Sequence, residues 1–266
     1  MVGESTYKNE WAVILGASSG LGLATAIKLA SCGMNLCLLY RVRKSELPDI
    51  NAKYQELIDQ YGINILHFNL DAIKAENRKS VIANLHESLA ENGKVKVLVH
   101  SIAKGNLKPM ISDADPVLQS DDFRLTIESM AISLYDWTTA LFNQELFSVD
   151  ARIISFTSEG NTKAWKNYAA VSAAKVALEA ITRSIALEFA PYGIKCNCIQ
   201  AGITDTAALR MIPGHQDLIE HSLKRNPSGR LTTPQDVADV VYLLTRDEAK
   251  WITGTIIPVN GGEHLS

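Results

Sequence analysis

A short apolar run, Trp11 to Leu15, ends in Leu15-Gly16-Ala17-Ser18-Ser19-Gly20-Leu21-Gly22, and a helical pattern, Leu21 to Ala30, begins inside that stretch. A buried strand that passes through three glycines directly into a helix leaves few folds open. Gly16 permits a tight turn, Gly20 lets a pyrophosphate approach the backbone, and Gly22 lets the helix pack closely on the strand. The opening of that helix, with Ser18, Ser19, Gly20 and Leu21, would then offer free N–H groups and the positive end of the helix dipole to phosphates. The spacing is G-x3-G-x-G rather than G-x-G-x-x-G, so an ordinary β–α turn is the alternative reading.

The alternation begun here continues along the chain. Further strands are predicted at Asn35–Tyr40, Ile63–Phe68, Val95–His100, Ala151–Phe156, Ile194–Ile199 and Thr255–Val259, and helices at Asp49–Tyr61, Lys74–Glu91, Asp121–Phe147, Tyr168–Phe189 and Pro234–Leu244. Apolar runs separated by helices imply βαβ units and a mostly parallel sheet. The expectation is an α/β, single-domain, doubly wound (Rossmann) seven-stranded sheet over residues 1–266, with helices on both faces and a nucleotide crevice at the switch point. Residues 206–232 break the rhythm as a 27-residue insertion. Their position beyond the sixth strand suits a substrate lid.

Composition narrows the partners. Of 266 residues, 47% are hydrophobic and 21% charged, and the net charge is −3. This balance argues against nucleic acid, which favours a basic face. No apolar run reaches the roughly 20 residues that span a bilayer, and the polar start lacks a signal-peptide core, so a cytoplasmic protein is expected. Cys32, Cys37, Cys196 and Cys198 form no C-x-x-C pair and have no neighbouring His cluster. They read as apolar residues in a reducing compartment, and no metal site is predicted.

Two further patterns suggest chemistry. Tyr168 and Lys175 stand seven residues apart, about two helical turns, and so share a face. A phenol beside an ammonium can donate a proton or hydrogen bond to a carbonyl, and the positive charge would lower the phenol pKa. After the second strand come Arg41, Arg43 and Lys44, with no acid before Glu46. NAD binders place an acid here for the ribose hydroxyl, whereas cations suit the 2′-phosphate of NADPH. A solvated basic loop is the plainer alternative, and Ser19, where a basic residue before Gly20 would have helped, weighs against NADPH. Asp71 is placed either to accept from the adenine amino group or to cap a helix.

The glycine turn, the Tyr168–Lys175 helix and Val259-Asn260-Gly261-Gly262 together resemble the short-chain dehydrogenase/reductase superfamily over nearly the whole chain. The usual Tyr-x3-Lys is missing, because Val171 stands four before Lys175. Tyr-x6-Lys, Val99-His100-Ser101-Ile102-Ala103 and the stretch from Asn197 to Leu209 are similar to the enoyl-[acyl-carrier-protein] reductase branch. The ordinary glycine turn, Ser158 ten before Tyr168, and Asn226-Pro227-Ser228-Gly229-Arg230 make the chain most similar to its NADPH-dependent third type. The resemblance implies hydride transfer from NADPH to the β-carbon of a trans-2-enoyl thioester carried by acyl carrier protein, in fatty-acid biosynthesis. Tyr168 would hydrogen-bond the developing enolate, Lys175 would hold the nicotinamide ribose, and Ser158 would bind the carbonyl or line the pocket. Ser101, Ile102 and Ala103 would lie along the cofactor, with Gly202, Thr204 and Thr206 near its pyrophosphate or carboxamide. Lys104 reads as a solvated surface lysine.

The resemblance also implies a homo-oligomer, a tetramer. The residues add a hint, since the two long helical stretches carry apolar side chains on more than one face, among them Tyr135, Trp137, Leu141, Phe142, Leu178, Ile181 and Phe189. In the insertion, Leu209, Met211, Ile212 and Leu218 could wall an acyl chain, while Arg210, Lys224, Arg225 and Arg230 could face an acidic carrier. Two alternatives are a 3-oxoacyl or other carbonyl reductase of the superfamily and a non-catalytic NADP-binding protein.

Overall fold

The computed structural model describes residues 7, 9–89, 92–114 and 116–265. Seven strands, β1 (Glu10–Leu15), β2 (Asn35–Tyr40), β3 (Ile65–Asn69), β4 (Lys94–His100), β5 (Phe147–Thr157), β6 (Lys195–Ala201) and β7 (Ile256–Val259), form one sheet. Its order is β3-β2-β1-β4-β5-β6-β7, and every neighbouring pair is parallel. The chain winds one way from β1 to β3, returns beside β1 as β4, and winds the other way to β7. The switch point, where ligands bind in such sheets, lies beyond the carboxyl ends of β1 and β4. Among the described residues no helix is long and apolar enough to cross a membrane.

The period-two alternation of the strands sorts side chains into two cores. Ala12 and Ile14 face one side, with Ala26 and Leu29 of α1 (Gly20–Ser31), Tyr54 and Leu57 of α2 (Leu47–Tyr61), and Val237 and Val241 of α9 (Pro234–Thr245). Trp11, Val13 and Leu15 face the other, with Val81 and Leu85 of α3 (Ala75–Ser88), Trp137 and Leu141 of α5 (Ser133–Asn143), and Leu178 and Ile185 of α6 (Ala169–Glu188). Both faces are covered, so β2 is buried at all six positions. That burial is the physical reason its sequence is a continuous apolar run.

Three expected boundaries differ. The stretch predicted as one helix from Asp121 to Phe147 is α4 (Ser120–Ile127), a π turn (Glu128–Ile132) and α5, and Phe147 already begins β5. The third strand starts at Ile65, because Asn64 N–H is taken by the Asn35 side chain before the ladder begins. The helix predicted to start at Asp49 starts two residues earlier, with Pro48 in its first turn. The expected end of α3 at Glu91 lies outside the described residues.

The apolar residues offered as signs of a second helical face are mostly absorbed within the chain. Trp137, Leu141, Leu178 and Ile185 are fully buried, and Phe142, Ile181 and Phe189 pack against the same core. Tyr135 is exposed, as are Leu125, Ile132, Val176 and Leu187 on the same helices. Three cysteines are buried, Cys32 is partly so, and all four are free thiols.

Candidate active site

The glycine turn lies at the switch point. Gly16 and Ala17 N–H both donate to Leu39 O, and Ser101 N–H donates to Leu15 O, so the ends of β1, β2 and β4 are laced together. Gly16 has φ +88°, and a Cβ there would strike the Ser101 carbonyl; a Cβ on Gly22 would strike the Gly16 carbonyl. Both glycines therefore serve close packing, and Gly22 does so between helix and strand as expected. Gly20 has φ +54° and has only the Thr206 methyl near its missing side chain. Ser19 is the N-cap of α1 in extended conformation and its side chain caps nothing. The first N–H groups of α1 face outward without a side-chain acceptor, a cradle that fits a dinucleotide's phosphates.

The other expected cofactor residues lie on the segments that follow β2, β3, β4 and β6. Arg41, just beyond β2, donates from Nη1 to Asp71 Oδ2 at 3.0 Å. Arg43 is exposed, and its backbone N–H donates to Glu46. Asp71 is not a helix cap: its Oδ1 accepts from Ile73 N–H at 3.2 Å, and α3 is capped at Lys74. Lys104 is not merely solvated, for its Nζ lies 3.5 Å from Asp71 Oδ2. Ile102 packs on the core while Ala103 is exposed. Thr204 Oγ1 donates to Gly202 O, and Thr206 Oγ1 accepts from Leu209 N–H as the N-cap of α7 (Ala207–Arg210). Thr206 thus joins the insertion to the glycine turn.

Tyr168 is the N-cap residue of α6, just outside the helix, and Lys175 lies two turns inside it. The Tyr168 ring rests over Gly160, where a Cβ would come within 2.5 Å of Cε1; any side chain there would evict the ring. Ser158 Oγ is buried, has no hydrogen-bond partner of normal geometry, and lies near enough to the phenol to lower its pKa. Burial has the larger effect and raises the Tyr168 pKa overall. This corrects the expected lowering by Lys175. The Lys175 ammonium is turned to Phe156 O, to which it donates at 2.6 Å. Burial lowers the Lys175 pKa, opposed by the nearby Cys198 and Glu179.

Two residues beneath this pair escaped sequence reading. The buried Glu179 accepts from Thr157 Oγ1 at 2.6 Å and from Asn161 Nδ2 at 2.5 Å, clamping both sides of the segment that carries Ser158 and Gly160. Its position four after Lys175 on one helix was the available signal. His100, at the end of β4, bonds through Nε2 to Ser133 Oγ at 2.7 Å. Ser133 gives its single hydroxyl proton to Ser129 O, so His100 is the donor. Burial, reinforced by the Lys175 charge, pushes the His100 pKa down to about 3, and the ring is neutral.

The insertion contains α7 and α8 (His215–Arg225). Arg225, at the end of α8, makes a two-pronged bond to Glu159 at 3.0 Å on each arm and donates to Glu263 O at 2.8 Å. The buried Asn226 then donates to Asn260 O. The insertion is therefore fixed at its carboxyl end to the Ser158–Gly160 segment. Of the cations expected to face a carrier, Arg225 is spent on this contact, Arg210 on Asp205, and Arg230 on Asp236. Leu209 is buried and Met211 is exposed.

An open parallel sheet with a glycine cradle at its switch point, and a buried lysine two turns behind a half-buried tyrosine, defines an oxidoreductase of the short-chain dehydrogenase/reductase superfamily, whose fold takes a nicotinamide cofactor. Residues 16–264 match the family described as Enoyl-(Acyl carrier protein) reductase, and the chain belongs to that family. It is similar to the enoyl-[acyl-carrier-protein] reductase [NADH] FabI of Aquifex aeolicus, 34% identical over 225 residues covering 82% of this chain and 78% of that one. It is also similar to the 3-oxoacyl-[acyl-carrier-protein] reductase FabG of Salmonella typhimurium, 29% identical over 262 residues covering 98% and 99%. The crystal structure of enoyl-[acyl-carrier-protein] reductase (NADH) from Aquifex aeolicus aligns with a TM-score of 0.82 at 26% identity, covering 97% of each chain.

Proposed function

We propose that the protein is an NADPH-dependent reductase of trans-2-enoyl thioesters, working in the cytoplasm on substrates held by acyl carrier protein in fatty-acid biosynthesis. The observation that carries this reading is the place of Tyr168. It stands outside α6, while the position a carbonyl reductase of Tyr-x3-Lys type would use is Val171, buried in an apolar cluster with Met130 and Ala174. A phenol set further back along the chain, with an apolar wall beside it, suits a conjugated acyl chain better than a bare ketone.

Bound NADPH would supply the hydride, held by the Gly16–Gly22 turn, Asp71, Ser101 to Ala103, Gly202, Thr204 and Thr206. Tyr168 donates a hydrogen bond to the thioester oxygen as negative charge gathers there. Its raised pKa keeps the phenol protonated at neutral pH. Lys175, anchored on Phe156 O, would hold the ribose hydroxyls. Glu179 keeps the Ser158–Gly160 segment, and hence the ring, in place.

A second reading, a 3-oxoacyl or other carbonyl reductase, draws support from Ser158, whose unpartnered hydroxyl beside Tyr168 could bind a ketone oxygen. Consumption of NADPH with crotonyl and acetoacetyl thioesters separates the two. The enoyl reading requires turnover of the crotonyl ester; activity with acetoacetyl ester alone overturns it, and activity with neither favours a non-catalytic NADP-binding protein.

The NADPH preference rests on Arg41 and Arg43. Replacing both by Ala should raise the Michaelis constant for NADPH by about tenfold, as expected for charge-assisted phosphate bonds, and leave that for NADH nearly unchanged. Equal use of both cofactors by the unaltered protein would remove the basis for this assignment. Leu125, Ile132, Tyr135, Val176 and Leu187, exposed along α4 to α6, support assembly into a tetramer through these helices.

The insertion acts as a lid pivoting at its fixed end. Residues 207–224 should exchange amide hydrogens faster than Arg225 and Asn226 in the free protein and slow when NADPH and an enoyl analogue are added. Slow exchange throughout 207–224 without ligand would show a rigid helical pair instead.

A further inference from the structure

The ion pairs of Asp71 span the crevice. In the strand order β3-β2-β1-β4, Asp71 stands just beyond β3, Arg41 just beyond β2, and Lys104 four residues beyond β4. Arg41 Nη1 and Lys104 Nζ meet on the same oxygen, Oδ2, at 3.0 and 3.5 Å. The bridge therefore passes over the end of β1, where the glycine turn begins. The carboxylate is the most buried of the three, its side chain 20% exposed against 66% for Arg41 and 57% for Lys104. Ile73 N–H holds its other oxygen, and Asn77 donates to its backbone carbonyl. Partial burial raises the Asp71 pKa, but Ile73 N–H, then Lys104, then Arg41 bring it below the usual value.

While Nη1 stays on Asp71, Arg41 has only Nε and Nη2 to offer a 2′-phosphate, and the carboxylate's charge offsets its own. Either the phosphate binds weakly or Asp71 releases the guanidinium. Release is easier where another cation stays on the carboxylate, and the exposed Lys104 is that cation. We infer, on the NADPH reading above, that Lys104 is a positioning residue for cofactor selection: it holds Asp71 when Arg41 leaves that carboxylate for the 2′-phosphate. It acts through Asp71 and does not touch the phosphate. Asp71 is then an internal competitor that sets how strongly the phosphate is felt.

The test uses the intact protein and two cofactor fragments, 2′,5′-ADP and 5′-AMP, titrated by calorimetry. Lys104→Met should weaken 2′,5′-ADP about fivefold, the scale of one exposed ion pair, and leave 5′-AMP within about twofold. Lys104→Arg should retain the unaltered selectivity, and Asp71→Asn should raise the preference for 2′,5′-ADP. Adding Lys104→Met to Asp71→Asn should change nothing further. An unchanged fragment preference in Lys104→Met overturns the inference, as does equal weakening of both fragments. A further loss of 2′,5′-ADP in the double variant also overturns it, because Lys104 would then touch the phosphate directly. If the unaltered protein binds both fragments equally, the NADPH reading fails and the inference with it. If it discriminates but Lys104→Met does not alter the ratio, the inference fails alone.

Discussion

Tyr168→Phe should lower the turnover number for an enoyl thioester by on the order of 10²-fold, the loss expected for one hydrogen-bond donor to a developing oxyanion. The substitution removes only the hydroxyl. The ring should stay in its seat over Gly160, because that seat is made by shape. The Michaelis constant should therefore change little, which marks an interaction made in the transition state. The raised pKa of Tyr168 adds a pH signature. The neutral phenol is the donor, so its contribution persists through neutral pH and falls only on the alkaline side of about 10, the ordinary tyrosine value. Steady-state rates of NADPH consumption from pH 6 to about 10 provide the measurement. Full turnover by the Phe variant would remove Tyr168 from the reaction.

At the opposite end of the sheet, Asp150→Ala should cost about 3 kcal/mol of stability, the scale for breaking a largely buried ion pair. Asp150 accepts from Arg152 at 2.7 and 2.9 Å, from Lys195 at 2.6 Å and from Lys96 at 3.1 Å. The Arg152 side chain is 1% exposed and that of Lys96 8%, so the variant leaves cations close together with little water. Leu244 O still accepts from Arg152 Nε, which limits the loss. Partial burial of Asp150 raises its pKa, but hydrogen bonds from Arg152, Lys195 and Lys96 outweigh it and hold the carboxyl well below the usual range. A carboxyl with a depressed folded pKa contributes fully above its unfolded value, about 3.9. That contribution is lost as pH falls toward the folded value. The gap in urea midpoint between the unaltered protein and Asp150→Ala should be constant from pH 7 to about 5 and close below about 4. A gap below about 1 kcal/mol at pH 7, the range of surface pairs, would refute the clamp.

What could be read from the sequence follows from how local its causes are. β1, β2 and β4 were legible because burial on both faces leaves mostly apolar residues, interrupted in β4 only by Lys96 and His100 within the expected span. The first part of β5 was not: Phe147 to Asp150 is mixed in character and follows a helix without a glycine or proline to separate them. The glycine turn was legible because conformation and close packing both demand those residues. Tyr168 and Lys175 were found by spacing, but spacing gave the wrong sign for the phenol. Which way an ammonium turns depends on Phe156, a carbonyl nineteen residues away in sequence. Arg225 with Glu159, and His100 with Ser133, join elements far apart in the chain, and no local pattern marks such pairs. Lys104 looked like a surface residue for the same reason, its partner lying on the other side of the crevice.

The π turn at Glu128–Ile132 has a consequence for the site above it. Each residue advances an α-helix by about 100°, and a π turn absorbs one residue more than an α turn. The segment thus works as a phase shifter between two rotational settings on one rod. Before it, Asp122 and Thr126 face the loop after β4, where Thr126 accepts from Asn106 N–H and Asp122 holds Lys108. After it, Trp137 and Leu141 face the core, and Ser133 meets His100. Without the additional residue these two halves could not both be in register. With it, α4 meets the loop after β4 while α5 keeps its contacts with the core and with His100.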